Sequence, residues 1–260
     1  MNEKQDSPNI VYRRWAPSSP RAVFLLVHGL GAHGGRWEAL AEFFLTKGVL
    51  SYAIELEKTG NFRRYFSDVM RLRELAATQL PGKKIFLIGE SMGAIISFIL
   101  AAKNPSCFDG LILLSPAFAN RVRLNVLDYL KIAISLLYNP ANQIKLPFDS
   151  SMCTRDSRYR NRMDCDPLEY RSASARLLFE LMIYQASARS AAPKITVPTL
   201  FLLPGDDKIA NQAVSARVFG RLRVDDKALV KFPGMYHSLS VEMGRQAVFE
   251  EILRWIERRI

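Results

Sequence analysis

The stretch FLIGESMGAI, residues 86–95, sets a serine between two glycines where an apolar strand pattern meets an apolar helix pattern. At such a junction Gly-x-Ser-x-Gly forms a sharp turn that holds the hydroxyl of Ser91 clear of the sheet. Gly89 and Gly93 lack Cβ atoms, so strand and helix can pass close together. The helix N-terminus beneath Ser91 brings N–H groups and the positive end of a dipole near the oxygen. A serine hydroxyl is still a weak nucleophile until a base takes its proton.

Three histidines are available as that base. His28 and His33 flank HGLGAH, after the first strong strand pattern, and His237 lies in KFPGMYHSL, just past the last. In a parallel sheet the strand C-terminal ends share the edge where ligands bind. Ser91 and His237 both project there. His28 does too, but a His-Gly pair in such a loop more often orients backbone than performs chemistry, so His237 is the expected base. The base needs a carboxylate to fix its tautomer and to stabilise its imidazolium form. FLLPGDDKIA ends a strand in Asp206 and Asp207, both ahead of His237. One of the two is free to cap the following helix, and spacing alone leans to Asp207 without excluding Asp206.

A tetrahedral intermediate also needs donors for its oxyanion. Met92 supplies one backbone N–H, and the glycine-rich loop HGLGAHGG is expected to supply the other at Leu30. That loop lacks the Gly-Lys-Ser/Thr ending of a phosphate cradle.

The elements that must position these groups are short apolar runs bounded by turn residues: AVFLLVHG, LSYAIEL, KKIFLIGE, GLILLSP, PTLFLLPGD and ALVKFPG, with a weaker IVYRRW near the start. Helix-like segments lie between them. Strand alternating with helix predicts a mainly parallel sheet covered on both faces. The alternation breaks from about Asn120 to Ala192, where VRLNVLDYLKIAISLLY and SARLLFELMIYQA read as helices joined by a polar segment with no clear strand. The expected organisation is a core over 1–119, a helical cap insertion over 120–192 and the rest of the core over 193–260. In the first cap helix Val122, Val126, Leu127, Leu130, Ile134 and Leu137 recur near helical spacing, with Arg121, Arg123, Asp128 and Lys131 interspersed. This stripe either packs on the core or lines a tunnel above Ser91 and touches an apolar surface.

Composition narrows the classes. Of 260 residues, 49% are hydrophobic and 23% charged, as in a globular protein, and no uncharged apolar run is long enough to span a membrane. MNEKQDSPNI has two acids and no apolar core, so no secretory leader is expected. Cys107, Cys153 and Cys165 are odd in number without metal-like spacing and read as free thiols in a reducing compartment, the cytoplasm. The net charge of +11 is spread over the chain, and nothing matches a nucleic-acid-binding motif. A solvated basic surface, or transient contact with an anionic membrane, accounts for it.

Taken together, FLLVHGLGAHGGRW, IGESMGA, LLPGDDKIA and PGMYHSL resemble the α/β-hydrolase superfamily, and within it the monoacylglycerol lipase, lysophospholipase and serine-aminopeptidase-like branch. CDPLEYRSASARLLFELM is similar to the cap of that branch. The resemblance runs from about Val11 to Ile256. It implies an α/β-hydrolase fold with Ser91 as nucleophile, His237 as base, Leu30 and Met92 as oxyanion donors, and Asp207 rather than Asp206 as the acid. It implies a serine hydrolase of acyl esters such as monoacylglycerols, lysophospholipids or simple carboxylesters, with no metal or organic cofactor. Two departures stand out. EKTGNFRRYFSD replaces the usual Gly-x-Gly-x-Ser loop, and the antiparallel hairpin that usually precedes AVFLLVHG reads as the single strand IVYRRW, so about seven strands are expected. The rival readings are a thioesterase whose basic residues hold an anionic carrier such as coenzyme A, and a non-catalytic member that binds a ligand or a protein. A dehalogenase is excluded, since its elbow carries aspartate.

Overall fold

The computed structural model describes residues 2–6, 10–58 and 61–260, with only the strand described for Asn2–Asp6. In chain order the elements are β1 (Asn2–Asp6), β2 (Ile10–Trp15), β3 (Ala22–Val27), α1 (Glu38–Leu45), β4 (Val49–Ile54), α2 (Phe62–Gln79), β5 (Lys84–Glu90), α3 (Met92–Lys103) and β6 (Gly110–Leu114). There follow α4 (Val126–Tyr138), β7 (Gln143–Lys145), α5 (Ser150–Cys153), α6 (Ser157–Cys165), β8 (Ser172–Ser174) and α7 (Ala175–Ala191). The chain closes with β9 (Thr199–Pro204), α8 (Gln212–Gly220), β10 (Lys227–Phe232) and α9 (Arg245–Ile256).

The large sheet has the order β1-β2-β4-β3-β5-β6-β9-β10. All pairings from β4 to β10 are parallel, while β1 and β2 run antiparallel at one edge. The seven strands expected from the sequence are β2 to β6, β9 and β10. The expectation that the leading hairpin is cut to one strand is corrected: β1 pairs with β2, Asn2 opposite Arg14 and Asp6 opposite Ile10, and makes an eighth strand. NEKQD contains no apolar residue, so it carries no hydrophobic alternation to read. A strand at a sheet edge pairs through its backbone on one side and needs no such pattern.

The unbroken apolar runs follow from burial on both faces. In β3, Val23, Leu25 and Val27 enter one core while Ala22, Phe24 and Leu26 enter the other. β5 divides likewise, Ile85 and Leu87 against Phe86 and Ile88. Val69 and Leu72 of α2, Ile95, Ile96 and Phe98 of α3 and Leu177 and Leu181 of α7 cover the first face. Leu40 and Phe44 of α1 and Val248, Phe249 and Ile252 of α9 cover the second. Each such side chain contributes about 1.5–3 kcal/mol by leaving water, so Leu25→Ala costs about 2–5 kcal/mol.

The insertion between β6 and β9 rests α7 on α3 and α4. It is less purely helical than expected. β7 and β8 pair antiparallel, Gln143 opposite Ser174, and the polar joining segment forms α5 and α6. Strands of three residues are too short to show a period of two. The short helices start where Asp149 and Asp156 accept hydrogen bonds from Ser151 N and Arg158 N, a local polar signal rather than an apolar one. Thr59 and Gly60, in the loop that departs from the family pattern, lie outside the described residues. Among the described residues no helix is long and apolar enough to cross a membrane.

Candidate active site

Ser91 sits between β5 and α3 with φ 58° and ψ −116°, a left-handed region that side chains rarely adopt. Strain of this kind amounts to about 1–3 kcal/mol and persists only where the surroundings enforce it. They do so through Gly93, where a Cβ would lie 2.1 Å from the Val27 carbonyl oxygen, so only glycine lets α3 settle against β3. Ser91 is also the N-cap of α3, yet its side chain makes no capping bond. Asn61, Ser174 and Asn211, at the same position of α2, α7 and α8, all cap their helices. The turn withholds the Ser91 hydroxyl from its own helix, and Oγ lies 2.8 Å from His237 Nε2.

The other ring nitrogen of His237, Nδ1, lies 3.0 and 2.9 Å from the two carboxylate oxygens of Asp207. A carboxylate only accepts, so Nδ1–H donates, and Nε2 is left to accept the Ser91 proton. Asp207 Oδ1 also accepts from Ile209 N at 2.8 Å and Ala210 N at 2.9 Å, and Oδ2 accepts from Gln212 Nε2 at 2.5 Å. Asp206 is exposed and only its backbone is engaged, with N donating to Met235 O. Of the two acids that spacing left open, the structure brings Asp207 to the imidazole. Burial pushes the Asp207 carboxyl up, but the imidazole and the two backbone N–H groups outweigh it and hold it below its ordinary value. Burial pushes His237 down, and the Asp207 charge, with Glu90 adding to it, lifts it above its ordinary 6.5.

The loop after β3 lies against the serine. A Cβ on Gly29 would stand 3.0 Å from Ser91 Cβ and 3.6 Å from Ser91 Oγ. Leu30 and Met92 line the same cavity as Ser91 and His237. Met92 opens α3, so its N–H is one that a helix cannot satisfy internally. His28 is buried, donates from Nδ1 to Gly29 O at 2.9 Å and accepts from Leu56 N at 3.0 Å. Burial keeps it below its ordinary value, hence neutral. It ties the loop to the end of β4, the structural role expected of it.

Other residues at the site escaped the sequence reading. Arg36 donates from Nε and from Nη2 to the two oxygens of Glu169, each at 2.5 Å. His33 donates to Asp166 at 3.1 Å, and Tyr170 N donates to Gly31 O at 3.1 Å. CDPLEY in the insertion is thus latched to the loop that carries Leu30. Ser115 Oγ donates to the His237 carbonyl, and Glu90 accepts from Ser240. No spacing rule pairs residue 36 with residue 169, and the second position of a Gly-x-Ser-x-Gly turn carries no prescribed role. Only the assembled strand edge reveals them.

The cavity over Ser91 is lined mainly by apolar side chains. Leu124, Leu146, Phe148, Leu178, Leu181 and Ile209 supply apolar walls, with Arg36, Glu90 and Ser238 among the polar groups. The α4 stripe neither lines this cavity nor packs on the core. Leu130 is 54% and Leu137 78% exposed, while α4 buries Ile132 and Ser135 on its other side. Of the stripe only Val122, ahead of α4, reaches the cavity. The helical period of the stripe marks the outward face of α4.

A doubly covered, mainly parallel sheet with a serine on a strained elbow, bonded to a histidine and through it to an acid, is that of an α/β-hydrolase acting as a serine hydrolase of carboxylic esters. Residues 18–244 match the family described as serine aminopeptidase, S33, and the chain belongs to that family. It is 30% identical to the monoglyceride lipase of Homo sapiens over 98% of this chain and 91% of that one. Among solved structures it is similar to the monoacylglycerol lipase of Paleococcus ferrophilus, with TM-score 0.88, 23% identity and 97% of this chain and 100% of that one covered. It is also similar to a soluble variant of the monoglyceride lipase of Saccharomyces cerevisiae in complex with a substrate analog, with TM-score 0.87, 20% identity and 99% and 94% coverage. At these identities the structural likenesses speak for the fold alone.

Proposed function

We propose that the protein hydrolyses acyl esters of glycerol, monoacylglycerols first and lysophospholipids second, through an acyl-enzyme on Ser91. The observation that carries this reading is the bonded series Ser91 Oγ–His237 Nε2 and Nδ1–Asp207, opening into a mostly apolar cavity. Ser91 Oγ attacks the ester carbonyl as its proton passes to His237 Nε2. The backbone N–H groups of Leu30 and Met92 stabilise the oxyanion. When the intermediate collapses, His237 returns the proton to the departing alcohol. Water then gives a proton to His237 and attacks the acyl-enzyme, and the fatty acid leaves as Ser91 regains its hydrogen. Asp207 stays ionised and holds the imidazolium.

In this reading residues 120–192 act as a cap whose underside shapes the acyl cavity. The exposed stripe Val126, Leu127, Leu130, Ile134 and Leu137, beside Arg123 and Lys131, supports transient docking of α4 on an anionic lipid surface. Three free thiols support a cytoplasmic location. The reading is tested by initial rates on 1-monoacylglycerols of graded length beside lysophosphatidylcholine, p-nitrophenyl esters and acyl-CoA. The highest kcat/KM is expected on a monoacylglycerol. A preference for acyl-CoA would replace the reading with a thioesterase.

A further inference from the structure

Glu90 is the last residue of β5, directly before Ser91, and only 4% of it is exposed. A buried carboxylate is unfavourable unless hydrogen bonds and charges compensate it. Its two oxygens accept from one residue: Oε1 from Ser240 N at 3.0 Å and Oε2 from Ser240 Oγ at 2.9 Å. Ser240 lies three residues past His237, in the short turn Leu239–Val241. A group adjacent to Ser91 in the chain therefore grips the turn that carries the imidazole. Burial pushes the Glu90 carboxyl above its ordinary value, while the two hydrogen bonds from Ser240 and the charge that forms on His237 favour its ionised form.

The surrounding charges give this carboxylate a second effect. Arg36 faces Glu90 from the loop before α1, but its Nε and Nη2 donate to the carboxylate of Glu169 in the insertion. Tyr159 and Cys153 approach from the insertion, their phenol and thiol pushed up by burial and hence neutral. The remaining positive charge that forms beside Glu90 is the imidazolium of His237, whose other neighbour is Asp207. We propose that Glu90 is a positioning residue acting on His237: through Ser240 it fixes the turn that carries the imidazole, and as a buried negative charge it stabilises the imidazolium formed when Ser91 gives up its proton. The inference rests on His237 being the base.

The test is the pH profile of kcat/KM on a soluble p-nitrophenyl ester for the full chain and for Glu90→Gln, Glu90→Asp, Ser240→Ala and His237→Ala. Glu90→Gln removes the charge and one acceptor. Its acid limb is expected to move to lower pH by about half to one unit, with kcat down about tenfold and KM little changed. Glu90→Asp and Ser240→Ala keep the charge but loosen the grip. They are expected to lose turnover while the acid limb shifts less than in Glu90→Gln. An unmoved limb in Glu90→Gln, or one that moves to higher pH, overturns the proposal. Should Glu90→Gln fail to fold, Ser240→Ala decides, and wild-type turnover there overturns it. Retained activity in His237→Ala sinks the base assignment itself, and with it this inference. Loss of activity in His237→Ala beside an unmoved Glu90→Gln profile sinks this inference alone.

Discussion

Arg36 and Glu169 face each other through two parallel N–H···O contacts of 2.5 Å, joining the loop beside Ser91 to the insertion above it. Both side chains are buried. Burial pushes the Glu169 carboxyl up, and the Arg36 guanidinium outweighs it and holds it below its ordinary 4.5. Removing Glu169 strips the buried Arg36 guanidinium of its carboxylate partner, at about 3–5 kcal/mol. Glu169→Gln should therefore lower the thermal midpoint by roughly 10 °C. The double variant Arg36→Met/Glu169→Leu should recover most of that loss, because apolar replacement of a buried pair is often neutral. A double variant as unstable as the single one would show that the ions themselves hold the insertion down.

The same pair gives a pH signature. A carboxyl whose folded value is depressed contributes stability that is fully present above its unfolded value and lost as pH falls through the folded one. Denaturant titrations should thus show stability falling below about pH 4.5 in the wild type, with a shallower fall in the double variant. Parallel curves would contradict the depressed carboxyl.

The two aspartates should separate cleanly. Asp207→Asn presents an amide where the imidazole N–H needs an acceptor and a charge, and kcat should fall about 10³–10⁴-fold with the fold intact. Asp206→Asn alters an exposed side chain and should stay within about 0.5 kcal/mol in both stability and activation energy. Steady-state kinetics on one ester settles the ranking, and comparable losses would contradict it.

The cavity walls should set chain length. Each acyl methylene buried there is worth about 0.8 kcal/mol, so preference should rise with length until the space is filled. Leu178→Phe or Leu181→Phe should shorten the preferred acyl chain and spare acetate esters. Leu130→Ser and Leu137→Ser, on the exposed stripe of α4, should leave that preference alone and weaken sedimentation with anionic vesicles. A changed chain-length profile in the α4 variants, or unchanged vesicle binding, would contradict the assignment of the two faces.

How legible the molecule was depends on range. Phe86–Ile95 announced its elbow because strand, turn and helix are all local there, and His237 followed from its place beyond the last apolar run. The choice of Asp207 over Asp206 rested on the likeness of DDKI to a family stretch, since spacing alone does not settle which side chain the loop after β9 turns inward. The α4 stripe shows the limit of periodicity, which finds a face but not what the face meets. β1 was illegible for the opposite reason: NEKQD pairs through its backbone and leaves no side-chain pattern. Glu90, Arg36 and Glu169 act across chain separations that only the folded sheet edge closes.

The central claim is that Ser91 is the nucleophile. A fluorophosphonate probe followed by peptide mass spectrometry tests it directly. One adduct on the peptide containing Ser91, with ester hydrolysis lost in proportion to labelling and no adduct in Ser91→Ala, is the predicted result. Labelling on another residue, or ester hydrolysis surviving in Ser91→Ala, would contradict it.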